Sequence, residues 1–126
     1  PPSALGGPLP VSTPALAGRV AAEFLFIFYL ETLATTSERT AQTFNMTVDE
    51  LSRPSVSTLS KNQGVYNGVL AILLLVAALC IPRKAAVIAL STSMVAVAAY
   101  GAATSDPKII LKQGLLPAIL LVSCLI

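Results

Sequence analysis

The sequence predicts an all-α fold, a four-helix transmembrane bundle running up-down-up-down, and two observations predict it. The first is composition. Of the 126 residues, 55% are hydrophobic and only 11% are charged, where a soluble domain carries about 25% charged residues. A chain this small cannot stay dispersed in water behind so few charges, so lipid or a partner's apolar surface must cover it. The second is arrangement: apolar segments at 16–34, 63–81, 85–103 and 109–126, each close to the roughly 20 residues that a helix needs to cross a bilayer. Short connections make neighbouring helices antiparallel, and an even number of crossings puts both ends of the chain on one side.

Residues 1–15 hold five prolines, two glycines and no charge, which predicts an extended lead-in. The chain does not open on Met, and the Pro/Ala/Ser/Thr-rich lead-in suits the stretch after a removed transit peptide; a processed N-terminus is therefore expected over a trimmed one. The first apolar segment carries Arg19 and Glu23 near its start, the run Phe24-Leu25-Phe26-Ile27-Phe28-Tyr29-Leu30, and Glu31 near its end.

A polar stretch, 35–61, is the one sizeable element expected outside the membrane. Thr47-Val48-Asp49-Glu50 reads as a capping box, with Thr47 the N-cap and Glu50 three residues on, and predicts a short interfacial helix. Asn45-Met46-Thr47 matches the glycosylation sequon, a triplet common by chance that matters only if the loop faces a secretory lumen.

The second segment ends at Pro82-Arg83-Lys84, where a proline and two cations stop a helix at the interface. The third follows at once, Ser105-Asp106-Pro107-Lys108 turns the chain, and the fourth contains Pro117, a predicted kink or close contact. Arg39, Arg53, Lys61, Lys108 and Lys112 fall on one side of this topology, and Arg19, Arg83 and Lys84 on the other. That imbalance leans toward the 35–61 loop facing the cytosol, matrix or stroma.

Small residues mark helix contacts in lipid, where close van der Waals approach replaces the hydrophobic drive. Gly64 and Gly68 form a GxxxG spacing; Ala85, Ala89 and Ser93 repeat every four residues, as do Ala98 with Ala102 and Gly101 with Ser105. Gly64, Gly68, Ala89, Ser93 and Gly101 are thus the expected packing positions.

Polar side chains inside apolar segments should point inward, because facing lipid is costly. The topology places Glu31, Asn62, Gln63, Tyr66, Asn67, Tyr100 and Gln113 in one layer near one membrane face. Glu31 there is either a buried acid able to carry a proton or bind a cation, or a clamp that holds the bundle through Asn, Gln or Lys112; the clamp is the preferred reading. Cys80 and Cys124 end their helices near the same surface, and two separate thiols are expected over a bridge, since spacing alone does not establish one.

Several function classes are disfavoured. The chain contains no histidine, the commonest metal ligand and the usual general base near neutral pH. Two cysteines cannot make a zinc site, and neither Walker loop, GxSxG, HExxH nor a catalytic carboxylate pair occurs. The scattered charges, net +2, give no footprint for nucleic acid. No catalysis and no metal are expected.

Three stretches carry a family resemblance: Tyr29-Leu30-Glu31 in a YLE signature, Asn62-Gln63-Gly64-Val65-Tyr66-Asn67-Gly68 in an NQGxYNG motif, and Tyr100-Gly101-Ala102 followed by Gln113-Gly114-Leu115-Leu116-Pro117-Ala118. In order and spacing they resemble the small four-helix membrane proteins called domain of unknown function 1304, over about residues 24–126. The resemblance implies a fold and a shared polar layer (Glu31, Asn62, Gln63, Tyr66, Asn67, Tyr100, Gln113) and no reaction. The expected role is a non-catalytic accessory subunit of an organellar membrane complex. A thylakoid photosystem is preferred to a respiratory complex of the mitochondrial inner membrane, on an Ala/Val/Thr-rich composition. No cofactor is required, though pigments or lipids could lie against the apolar faces. The alternative is a small-solute or proton-coupled carrier using Glu31 and the Asn/Gln cluster.

Overall fold

A computed structural model describes residues 7–80, 84–104 and 114–125, with the backbone alone for 101–104. The described residues are all-helical: α1 (Thr13–Phe28), a π-helical turn (Tyr29–Leu33), α2 (Glu38–Phe44), α3 (Val48–Ser52), α4 (Pro54–Leu79), α5 (Lys84–Thr104) and α6 (Leu115–Leu125). Two compact units divide the chain, Phe24–Val69 on one hand and Pro1–Glu23 with Leu70–Ile126 on the other. α1 and α4 each contribute residues to both units. Among the described residues one helix, α4, is long and apolar enough to cross a membrane by length and composition.

Helix boundaries depart from expectation where polar residues open a helix. α1 begins at Thr13, so the last part of the expected lead-in is already helical. α4 begins at Pro54, nine residues ahead of the expected 63. Proline suits a first helical turn because its fixed φ is already helical and its missing N–H is not needed there. Ser55 to Asn62 then extend the helix although they read as loop. The expected turn at 105–108 and the start of the fourth segment, through Gln113, lie outside the described residues.

In the unit Phe24–Val69, the stretch between the π-turn and α4 folds through local caps. Ser37 Oγ accepts from Thr40 N–H at 3.2 Å to open α2. Asn45 closes α2 in the left-handed region (φ 55°), a conformation that Asn adopts more readily than most residues. The capping box at Thr47 forms as expected: Glu50 N–H donates to Thr47 Oγ1 at 3.1 Å, and Thr47 N–H donates to Glu50 Oε1 at 3.4 Å. Leu51 is the buried side chain of α3. At the face of α1, the Arg39 guanidinium sits 5.0 Å from the Phe26 ring centroid, and Phe26 stacks on Tyr29 with centroids 6.3 Å apart.

In the other unit, α5 packs on α6. The buried stripe of α5 is Val87, Ser91, Met94 and Ala98, a helical repeat of three and four residues. Ala89 and Ser93, expected at a contact, lie off that stripe and are exposed; Ser93 Oγ donates to Ala89 O along the helix at 2.8 Å. Gly101 falls within α5, but its surroundings lie outside the described residues. α6 buries Pro117, Leu120, Ser123 and Cys124, so Pro117 marks a close contact. Ser123 Oγ donates to Leu120 O at 2.7 Å and therefore receives the Thr13 hydroxyl, 3.0 Å away. Both cysteines are free, Cys80 exposed and Cys124 buried.

Candidate functional site

The candidate site lies within the unit Phe24–Val69, where the π-turn meets α4. A π-turn inserts one residue per turn and is often found at functional positions. Here Ala34 N–H reaches back five residues to Tyr29 O at 2.9 Å, and the helix ends with main-chain carbonyls to satisfy. Hydroxyls do so. Thr40 Oγ1 lies 2.7 Å from Ala34 O and 3.1 Å from Leu30 O, one proton shared between two carbonyls. Glu31 O accepts from Thr35 Oγ1 at 2.7 Å and from Ser60 Oγ, on α4, at 3.1 Å.

α4 approaches this turn through its glycines. A Cβ on Gly64 would collide with Thr32 Oγ1 and would come within 2.9 Å of Glu31 Cβ and 3.1 Å of the Thr32 backbone nitrogen. A Cβ on Gly68 would meet the Phe28 ring at 3.1 and 3.2 Å. The two glycines are buried, in the close approach that small residues permit. Thr32 Oγ1 ties the crossing further by donating to Lys61 O at 3.0 Å.

Between these contacts sits a buried polar pair. Asn67 Nδ2 donates to Glu31 Oε1 at 2.6 Å; Asn67 is 1% exposed and Glu31 9%. The oxygen of the same amide, Asn67 Oδ1, has no hydrogen-bond partner among the described residues. No basic side chain pairs with Glu31 among them either.

Of the seven residues expected in one polar layer, the structure brings two together, Glu31 and Asn67. Asn62, Gln63 and Tyr66 are exposed on α4. The helix turns 100° per residue, so the face that buries Gly64, Asn67, Gly68 and Ala71 turns Asn62 and Tyr66 to the other side. Tyr100 is 73% exposed on α5. Gln113 and Lys112 lie outside the described residues. Sequence reasoning missed Thr35, Thr40 and Ser60, the hydroxyls that satisfy the turn. Their one signal is position: Thr35 and Thr40 follow an apolar run, where helix-end carbonyls need donors, and Ser60 lies four residues before Gly64 on α4.

The fold and site define a class: a small all-helical protein with a buried acid–amide pair where its π-turn meets α4. The chain belongs to the family of proteins of unknown function DUF1304, whose model matches residues 18–125. It is similar to the uncharacterised protein YpaA of Lactococcus lactis subsp. lactis (strain IL1403), with 46% identity over 105 residues, 82% of this chain and 88% of the relative. No solved structure matches it.

Proposed function

We propose that this chain is an integral membrane protein, its apolar segments forming a four-helix up-down-up-down bundle, and that it serves as a non-catalytic accessory subunit of a larger membrane complex. One observation carries the membrane reading: from Val69 to Leu79 every exposed side chain of α4 is a large apolar one. Leu59, Val65, Val69, Ile72, Leu73, Val76 and Leu79 are 41–67% exposed, while Asn67 and Ala71 are buried. Burying such a side chain fully is worth about 1.5–3 kcal/mol. Leaving these half out in water would forgo about 7 kcal/mol, on the scale of a whole domain's 5–15 kcal/mol of stability. Lipid removes that cost. The exposed row Leu115, Ile119, Val122 and Leu125 on α6 has the same character.

The accessory role is supported by the side chains at hand. The sequence has no histidine, and the buried Glu31–Asn67 pair is held by a backbone crossing in which a Cβ at Gly64 would collide with Thr32. Large apolar faces remain for other membrane chains, pigments or lipids to cover. Native-gel migration of the mildly solubilised protein tests this. Comigration with a pigmented photosystem particle or a respiratory complex names the assembly; a discrete small oligomer of this chain alone overturns the accessory role. A second reading, a small-solute or proton-coupled carrier, is favoured by the buried Glu31 carboxyl. Unaltered uptake by Glu31→Gln in proteoliposomes that transport with the wild type removes Glu31 from such a mechanism.

A further inference from the structure

We infer that α4 pairs in parallel with α4 of a second copy of this chain. Exposed side chains of the helix recur at alternating steps of four and three residues: Asn62, Tyr66, Val69, Leu73, Val76 and Cys80, with Leu59 three residues before them. That is the spacing of a heptad seam, along which two helices wind about each other. Cys80 keeps the register although α4 ends at Leu79, because its N–H still donates to Val76 O at 2.8 Å. Gly64, Asn67, Ala71, Leu74 and Ala78, all buried, repeat in the same way on nearly the opposite side. One helix thus carries two seams, and the fold of a single chain covers the inner one.

The outer seam fits a second copy better than lipid alone. Leu59, Tyr66, Val69, Leu73 and Val76 are 41–67% exposed. Over two copies these side chains offer on the order of 1,000 Å², the area a specific interface needs. Asn62 lies in the same row, and acyl chains offer an amide no hydrogen bond. An amide carries both donor and acceptor, so Asn62 of one copy satisfies Asn62 of the other. Copies inserted the same way stand parallel, and a two-fold axis then sets each seam residue against itself. That orientation rests on the membrane reading proposed above. The accessory role is not needed for it, since such a pair can itself be part of a larger complex.

Disulfide trapping of the full chain in its membranes tests the pairing, because Cys80 is exposed and stands in the seam. Copper phenanthroline with air joins two thiols, oxygen taking up the two hydrogen atoms. The expected product is a band of twice the chain's mass, reversed by dithiothreitol, absent in Cys80→Ser and kept in Cys124→Ala. In a Cys80→Ser, Cys124→Ala background, Leu73→Cys and Val76→Cys should cross-link several-fold faster than Ile72→Cys, which lies beside the seam. No cross-link of the wild type at Cys80 overturns the inference and leaves the face to lipid. Equal rates at Ile72→Cys and the two seam positions also overturn it, because random collision then explains the bands. Carbonate extraction of the same membranes tests the membrane reading by itself. Chain that stays in the pellet without cross-linking overturns the pair alone; chain released to the supernatant overturns both.

Discussion

Asn67 spans 36 positions of sequence to place its amide 2.6 Å from the Glu31 carboxylate, and the residues beside them, Gly64 and Thr32, leave no room for a methyl group between the two helices. The hydrogen bond and the glycine crossing belong to one contact. Each fixes the geometry that the other needs, so the two can be tested separately.

The glycines give a graded series. Gly64→Ala is expected to destabilise by about 1–3 kcal/mol, the usual cost of overpacking, because its new Cβ meets Glu31 Cβ and the Thr32 backbone. Gly68→Ala meets only the Phe28 ring, which can shift, and should cost less. Gly18→Ala has nothing within 4 Å of its Cβ and should be neutral or gain up to about 1 kcal/mol from helix propensity. Unfolding of the three variants in one detergent checks the order; equal effects at Gly64 and Gly18 would contradict the crossing.

The Glu31–Asn67 bond is measured by a double-mutant cycle with Glu31→Ala and Asn67→Ala. Buried hydrogen bonds between membrane helices average about 0.6 kcal/mol and reach about 1.7. A coupling of about 0.5–2 kcal/mol is expected here. Strict additivity of the two substitutions would mean that the pair does not act as one.

Thr40 carries a larger share of the turn than its small size suggests. Fully buried, it supplies one proton to Leu30 O and Ala34 O. Thr40→Val keeps the shape and removes the proton that Leu30 O and Ala34 O share, and should cost about 1–3 kcal/mol, although Ala34 O keeps the Ser37 N–H at 3.1 Å. Hydrogen exchange at Ala34 N–H should quicken with it, while exchange in α5 should not change.

How much of this was legible in the sequence depends on the kind of signal. Apolar runs announced α1, α4, α5 and α6, and Thr47 with Glu50 announced α3, since those signals are local. Ser37 as the N-cap of α2 and Pro54 as the start of α4 carried local signals too, but the Ser/Thr-rich stretch around them reads as loop. The π-turn carried none. The polar layer was half legible. Asn67 shares its helix face with Gly64 and Gly68, and that spacing marks the buried side. Asn62 and Tyr66 carry similar chemistry on the opposite side, which a list of polar residues does not distinguish. The same angular error moved the expected stripe of α5 to Ala89 and Ser93, off the Val87–Ser91–Met94 face.

Thiol labelling distinguishes the two cysteines of the other unit. Cys80 is exposed and Cys124 buried beside Ser123. A maleimide should modify Cys80 in the folded protein and reach Cys124 only on unfolding, as mass spectrometry of the labelled peptides reads directly. Early modification of Cys124 would contradict its burial in α6.

The membrane reading is tested most directly by spin labels along α4. Single substitutions Val65→Cys, Val69→Cys, Ile72→Cys and Val76→Cys in a Cys80→Ser, Cys124→Ala background, reconstituted in liposomes, place a nitroxide on the exposed apolar side. Collision with oxygen, which concentrates in lipid, should exceed collision with a water-soluble nickel complex at all four sites, and most strongly at Ile72. Nickel-dominated relaxation at Ile72 and Val76 would place that side of α4 in water and contradict the account.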